Sequence, residues 1–233
     1  MKTLVLMPTY NEAETLEKTA KELFNFNPTV DLMIIDDNSP DGTGAIADRL
    51  ASSDKRVSVM HRHKREGLGA AYRAGFQRGL TSPYSHFVEM DADGSHRPVD
   101  LKLMLESVAQ NDLVVGSRWI DGGEVSNWSK LRKAISKTGN RYARFLLKSQ
   151  VADMTSGFRV YSRGLLEKLP INEMQAHGYA FQVEMTMRAE AHGAAIREVP
   201  IRFVERDGGK SKMSFWIVVE AFWLCTKWGL RKP

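Results

Sequence analysis

The chain alternates short apolar runs with segments of helical spacing. Residues 3–9, 31–37, 57–62, 86–91 and 112–118 are apolar runs of strand length. Leu32, Met33, Ile34 and Ile35 follow one another with no inward–outward alternation, the pattern of strands covered on both faces of a parallel sheet. Between the runs, residues 11–24, 41–52, 67–80 and 99–110 place apolar side chains three and four apart, the period of a helix packed along one face. Asn11 with Glu14 three residues on predicts a capping box at the first helix. Strand and helix in turn predict an α/β fold: a single Rossmann-like, mostly parallel sheet flanked by helices.

The second half is less regular. Residues 129–148 read as a long helix, 156–169 as a short strand and helix, 179–193 as a helix and 196–206 as an extended segment. Residues 213–230 are apolar and aromatic and predict an amphipathic or apolar C-terminal helix. No repeat, low-complexity segment or Pro/Gly/Ser-rich linker divides the chain, which predicts one catalytic-type domain over 1–212 and a C-terminal helix within 213–233.

In open parallel sheets, ligands bind beyond the carboxyl ends of the strands. Three predicted strand ends carry polar groups: Tyr10, Asn11 and Glu12; Asp36 and Asp37; Asp91 and Asp93. Two carboxylates as close as Asp91 and Asp93 repel each other unless solvated or bridged by a cation. A bare D-x-D reads as a solvated turn with Asp93 as a helix cap. Beside two other acidic strand ends it reads as a site for a hard divalent ion completed by phosphate oxygens. Asp37 suits a ribose hydroxyl or a base N–H, whereas Ser39 and Asp41 read as turn and cap residues ahead of Gly42. Gly67 and Gly69 lack the third glycine of a dinucleotide fingerprint, since Tyr72 stands there. They fit a helix-opening turn, either plain or facing phosphate.

Lys130, Lys133, Lys137, Arg141, Arg144 and Lys148 recur by threes and fours with no acid among them. At ~100° per residue they form one stripe, with Leu131, Ile135, Tyr142 and Leu146 roughly opposite, expected to pack on the sheet domain. Solvated charge faces normally mix signs, so this stripe points to phosphates. Arg132 and Ser136 lie between the two faces. The tail holds Phe215, Trp216, Phe222, Trp223 and Trp228, but only fourteen residues, Glu220 among them, separate Lys212 from Lys227. That is short of the about 20 apolar residues a membrane span needs. The tail either closes the core or lies in a membrane interface, and the basic stripe favours the interface. Residues 205–213 form a glycine-hinged loop carrying Arg206, Lys210 and Lys212, suited to closing over phosphates.

Composition narrows the class. Of 233 residues, 42% are hydrophobic and 26% charged, and one cysteine, Cys225, excludes an internal disulfide, as in a reducing compartment. The chain enters an apolar strand at once, so no signal peptide is expected. A net charge of +5 is compatible with anionic partners without requiring them.

The segments Pro8–Leu16 (PTYNEAETL), 35–43 (IDDNSPDGT), 67–72 (GLGAAY), 90–98 (MDADGSHRP), 115–119 (VGSRW), 153–161 (DMTSGFRVY), 178–185 (GYAFQVEM) and 198–213 (EVPIRFVERDGGKSKM) occur in this order across nearly the whole chain. Together they resemble polyprenyl-phosphate mannosyltransferases of the dolichol-phosphate mannose synthase type, within glycosyltransferase family 2. The resemblance implies a GT-A fold, GDP-mannose as donor, a polyprenyl phosphate as acceptor, and Mg²⁺ or Mn²⁺. By the resemblance, Pro8, Tyr10, Glu12, Ile35 and Asp37 hold the nucleoside, and Asp91 and Asp93 bind the metal with the Ala92 backbone near the donor. Arg118, Arg206 and Lys212 contact phosphate, and Arg132 and Ser136 receive the acceptor phosphate. Some members carry Gln where Ser95 stands, as a further metal contact; here Asp91 and Asp93 remain. Some carry transmembrane helices after the catalytic domain. None is apparent here, which implies a peripheral protein on the cytoplasmic face of the membrane, or one relying on a separate membrane-anchoring subunit. Nucleic acid is not an expected partner. The rival readings are a related transferase using a UDP-sugar such as UDP-glucose, and a non-catalytic module binding anionic lipid or nucleic acid, which the acidic strand ends disfavour.

Overall fold

Strand β1 (Thr3–Thr9) shows how the sheet is covered. Leu4 and Leu6 enter one apolar core, Val5 and Met7 the other, and all four are buried, because successive strand side chains point to opposite faces. The computed structural model describes residues 2–174, 176, 178–205 and 215–231. The further strands are β2 (Val30–Asp36), β3 (Val57–His61), β4 (His86–Glu89), β5 (Leu113–Ser117), β6 (Glu124–Ser126), β7 (Arg159–Ser162), β8 (Ile196–Pro200) and β9 (Arg202–Val204). Seven form one sheet in the order β3-β2-β1-β4-β7-β5-β8, and β6 pairs with β9 in a separate ribbon. The sheet is parallel except for β7, which runs against β4 and β5.

Helices α1 (Leu16–Phe26), α2 (Thr43–Ser53) and α4 (Pro98–Glu106) bury Leu16, Ala47, Leu101 and Met104 against one face. On the other face lie α3 (Leu68–Leu80), α5 (Lys130–Leu147), α6 (Arg163–Lys168), α7 (Gly178–Ala191) and α8 (Phe215–Arg231). The long α8 packs on α5 and α7, with Cys225 buried between them and the sheet-side core. Among the described residues no helix is long and apolar enough to cross a membrane.

Two sequence expectations are corrected, and one element is added. The first helix starts at Leu16, and its N-cap, Thr15, makes no side-chain cap. Asn11 instead adopts a left-handed turn (φ 58°), its amide donating to Ser39 Oγ at 3.1 Å; the loop's need to meet the next strand end overrides the capping box. The short ribbon of β6 and β9 was not visible, because three-residue strands carry no readable period. On α5, Leu131 (71% exposed) and Ile135 (43%) do not pack on the sheet. The apolar face was correctly placed, but its partner is α8, which meets only the C-terminal half. Tyr142 stacks on Phe222 with ring centroids 4.2 Å apart, and Tyr142 Oη lies 2.7 Å from Thr226 Oγ1.

Close packing of α3 depends on three glycines, of which Gly69 would place a Cβ 2.9 Å from the Ala176 carbonyl oxygen. A Cβ on Gly79 would lie 2.6 Å from Phe87 Cε1 and 2.8 Å from Leu4 Cδ2; one on Gly75 would lie 2.6 Å from Ile35 Cδ1. Gly79→Val is expected to cost about 1–3 kcal/mol in urea unfolding through overpacking. Gly164→Ala, whose Cβ would meet nothing within 4 Å, is expected to leave stability unchanged or raise it, by up to about 1 kcal/mol of helix propensity.

Candidate active site

The neighbours β1 and β4 mark the point where strand order turns back on itself, and a cleft opens beyond their carboxyl ends at such a point. On the β1–β2 side, Thr9 Oγ1 and Ser39 Oγ donate to Asp36 Oδ1 at 3.1 and 2.6 Å. Asp36 is thereby committed to shaping the turn. Asp41 caps α2 through Thr43 N at 3.0 Å and Thr43 Oγ1 at 2.6 Å, and accepts from Ala13 N at 3.1 Å. Ser39 and Asp41 are therefore turn and cap residues, as read. Asp37 is different: buried, it takes one guanidinium N–H of Arg62 at 2.6 Å. Burial pushes its carboxyl up, and Arg62 only partly offsets this. Arg62 also reaches Glu66 at 2.7 Å, and the Arg65 guanidinium lies over the Tyr10 ring at 4.2 Å. Glu12 is buried, its amide donating to Thr43 Oγ1 at 2.9 Å. Pro8 pairs with Ile35 across the strands. Ile35 is fully buried, its side chain in the α3 core.

β4 ends at Glu89, and the chain then turns through Asp91, Ala92 and Asp93. Gly94 takes φ +77°, a left-handed conformation that favours glycine. Asp93 Oδ1 accepts from Ser95 N at 3.0 Å, Ala92 O accepts from Thr19 Oγ1 at 3.0 Å, and Asp91 N donates to His96 Nδ1 at 3.0 Å. Ser95 is buried, and its Oγ meets no hydrogen-bond partner among the described residues. Two carboxylates on one short turn suit a hard divalent ion that takes further oxygens from phosphate and water. Among the described residues no cluster of three His, Cys, Asp or Glu gathers to hold a metal; Asp91 and Asp93 are the carboxylates of this turn that could hold one.

Beneath this turn lies a buried polar layer that sequence reasoning missed. Glu89 Oε2 accepts from Gln182 Nε2 at 2.8 Å, and burial pushes the Glu89 carboxyl up to about 7. Arg159, fully buried, donates to Thr186 Oγ1 at 2.9 Å and to the carbonyls of Met154 and Ser156 at 2.8 and 2.7 Å.

Facing the turn is a cationic, aromatic wall. Arg118 is buried and held by Asp153: its amide donates at 3.0 Å, and Nε and Nη2 at 2.7 Å each. Its Nη2 also donates to Thr155 Oγ1 at 2.9 Å, and Asn140 Nδ2 reaches the same oxygen at 3.1 Å, tying α5 to the wall. The Arg118 guanidinium sits 5.7, 5.5 and 5.6 Å from the rings of Trp119, Trp128 and Phe203. Arg132, in the first turn of α5, lies 4.0 Å over Trp128 and pairs with Glu205. Ser136 is one helical turn further on and half-buried. Lys137 stands 5.2 Å from the Trp119 ring. Phe203 joins the two halves, touching the Trp128 ring edge-on at 5.6 Å and His96 at 5.7 Å. Arg206 and Lys212 lie outside the described residues.

Asp91 with Asp93, Asp37, and Arg132 with Ser136 were thus singled out in the sequence as candidates. Arg62, His96, Asp153 and Glu205 were not: each acts through a partner distant in sequence or through a buried ring, and no local spacing signals that.

Fold and site define the class: a GT-A sheet with its D-x-D turn at the switch point, as in enzymes that transfer sugars. The family model for Glycosyl transferase family 2 matches residues 4–170, and the chain belongs to that family. It is 49% identical over 232 residues to polyprenol monophosphomannose synthase of Mycolicibacterium smegmatis, covering 99% of this chain and 88% of that protein. It is 47% identical over 230 residues to undecaprenyl-phosphate mannosyltransferase of Micrococcus luteus, covering 99% and 95%. Among solved structures, glucosyl-3-phosphoglycerate synthase of Mycobacterium tuberculosis with Mn²⁺, UDP and glucosyl-3-phosphoglycerate superposes with a TM-score of 0.71 at 18% identity, covering 100% of this chain and 81% of that one. The mannosyltransferase PcManGT of Pyrobaculum calidifontis, in complex with GDP-Man and Mn²⁺, superposes with a TM-score of 0.62 at 16% identity, covering 99% and 64%. At such identities these two speak for the fold.

Proposed function

We propose that the chain transfers mannose from GDP-mannose to a polyprenyl monophosphate, inverting the anomeric carbon. The observation that carries this reading is the junction of two unlike surfaces at Phe203: the acidic turn of Asp91 and Asp93 on one side, and the Arg118, Arg132 and tryptophan wall on the other. Relatives at 47–49% identity over nearly the full chain carry names of mannosyl transfer to prenyl phosphates.

Transfer to a phosphate needs no general base. The second pKa of a phosphate monoester is about 6, so the acceptor is already largely dianionic near neutral pH. One acceptor oxygen forms a bond to the anomeric carbon while the bond to the diphosphate oxygen breaks, and GDP leaves with that electron pair. The residues position and neutralise. Pro8, Tyr10, Glu12, Ile35 and Asp37 hold the nucleoside, and the Ala92 backbone lies near the sugar-diphosphate. Arg132 and Ser136 take the acceptor phosphate, for which Glu205 must release Arg132. Arg118, fixed by Asp153, offers positive charge to phosphate, and Arg206 and Lys212, which follow β9 in sequence, complete the donor site. A divalent cation, Mg²⁺ or Mn²⁺, held by Asp91 and Asp93 would supply charge neutralisation for the departing diphosphate.

Residues 1–212 form the catalytic body in this reading, and 213–233 lie at a membrane surface. Phe145 (83% exposed) and Leu131 are exposed on α5, the helix that carries the basic stripe, and Trp223 (61%) and Leu230 (81%) on α8, which packs on it. Such a mixture suits peripheral binding to an anionic leaflet, here the cytoplasmic face, directly or beside a separate anchoring subunit. Incubation with labelled GDP-mannose, Mn²⁺ and polyprenyl phosphate is expected to yield an organic-extractable mannolipid. Preferential use of UDP-glucose would overturn the donor assignment, and no lipid product from either donor would overturn the acceptor.

A further inference from the structure

His96 has no part in the chemistry above, yet it is 2% exposed and stands at the hinge of the metal turn. Its Nδ1 accepts the Asp91 N–H at 3.0 Å, so the ring is neutral with its proton on Nε2. The ring lies flat on Phe158, centroids 4.8 Å apart and planes 10° apart, and Phe203 meets it edge-on at 74°. Clamped between two aromatic groups, the imidazole cannot swing, and its lone pair has one direction. The other end of the turn is pinned as well, by Ser95 N on Asp93 Oδ1 and by Val204 N on Ser95 O at 3.2 Å.

We propose that His96 is a positioning residue: it fixes the Asp91 peptide so that the two carboxylates of the turn converge on one cation. This rests on the metal role given to Asp91 and Asp93. A turn carrying two like charges opens by mutual repulsion unless its backbone is restrained. Here the restraint on the Asp91 amide comes from a ring rather than a water, so it does not exchange with solvent. Partners that orient metal ligands in this way typically carry 10- to 100-fold in metal affinity or activity. The same ring meets β9 through Phe203, and β9 leads to Glu205 and its pair Arg132. The metal turn and the acceptor wall therefore share His96 as a common support.

Two substitutions separate the acceptor atom from the aromatic stack. His96→Phe keeps a ring against Phe158 and removes the acceptor; His96→Asn removes the ring and returns an oxygen near the Nδ1 position. Free Mn²⁺ is followed by electron paramagnetic resonance in the presence of GDP, and GDP binding in EDTA reports an intact nucleoside pocket. His96→Phe is expected to weaken Mn²⁺ binding about 10- to 100-fold with metal-free GDP binding unchanged, and His96→Asn to stay within about threefold of the wild type. Wild-type Mn²⁺ affinity in the folded His96→Phe protein would overturn the role of His96 alone. So would a tenfold loss in His96→Asn, which decides the matter even if the Phe protein fails to fold. Failure of the wild type itself to bind Mn²⁺ with GDP would overturn the metal reading, and this role with it.

Discussion

Asp91→Asn is expected to lower mannosyl transfer by about 10³-fold or more. A divalent ion beside a leaving diphosphate contributes several kcal/mol, and each 1.36 kcal/mol is tenfold in rate. The variant keeps the Asp91 amide that donates to His96, and an amide of the same size fills the same space. It removes one of two neighbouring charges, so metal-free stability should hold or rise. The rise in melting temperature that Mn²⁺ with GDP gives the wild type should disappear. A variant that melts like the metal-free wild type, loses that metal response and fails to turn over separates loss of the site from loss of the fold. Turnover within tenfold of wild type at saturating metal would show that Asp91 is not a metal ligand that matters.

Asp153→Ala is expected to be the most destabilising single change at the site. It leaves the Arg118 guanidinium buried without its carboxylate, and breaking a buried pair from one side costs about 3–5 kcal/mol. At about 2–4 °C per kcal/mol for a chain of this size, the melting temperature falls by on the order of 10 °C. The pair also has a pH signature. Burial pushes the Asp153 carboxyl up, but the Arg118 charge and its hydrogen bonds outweigh burial and hold it below the ordinary carboxylate value. A depressed carboxyl stabilises the fold above its unfolded pKa, and that stability is lost as pH falls through the lower folded value. The gap between wild type and variant should therefore be full at neutral pH and narrow in acid. Replacing both partners together, Arg118→Met with Asp153→Leu, should recover much of the stability and none of the activity. Melting curves of the three proteins at two pH values check this; equal stability of Asp153→Ala and wild type at neutral pH would contradict it.

The sequence carried the sheet because burial on both faces leaves an unmistakable apolar run, and carried the helices because one-sided packing leaves a period. Strand polarity leaves no such trace: the Arg159–Ser162 strand looks like any other, yet it alone runs against its neighbours. The face of α5 was legible and its partner was not, since Leu131 and Tyr142 share a face but only Tyr142 meets α8. The same division holds at the site. Asp91 and Asp93 stand together in sequence and announce themselves. The pairings that orient the site, Arg62 with Asp37, Arg118 with Asp153 and Arg132 with Glu205, join residues that only the closed fold brings together. One strong sequence signal turned out to be local architecture: Asp36 commits its oxygens to the loop that presents Asp37.

The metal role of Asp91 and Asp93 is tested most directly by a crystal of the protein grown with GDP and Mn²⁺ and measured at the manganese absorption edge. An anomalous peak is expected between Asp91, Asp93 and the diphosphate, with Asp37 facing the nucleoside. A bound GDP whose diphosphate lies away from that turn, with no manganese on either aspartate, would contradict it.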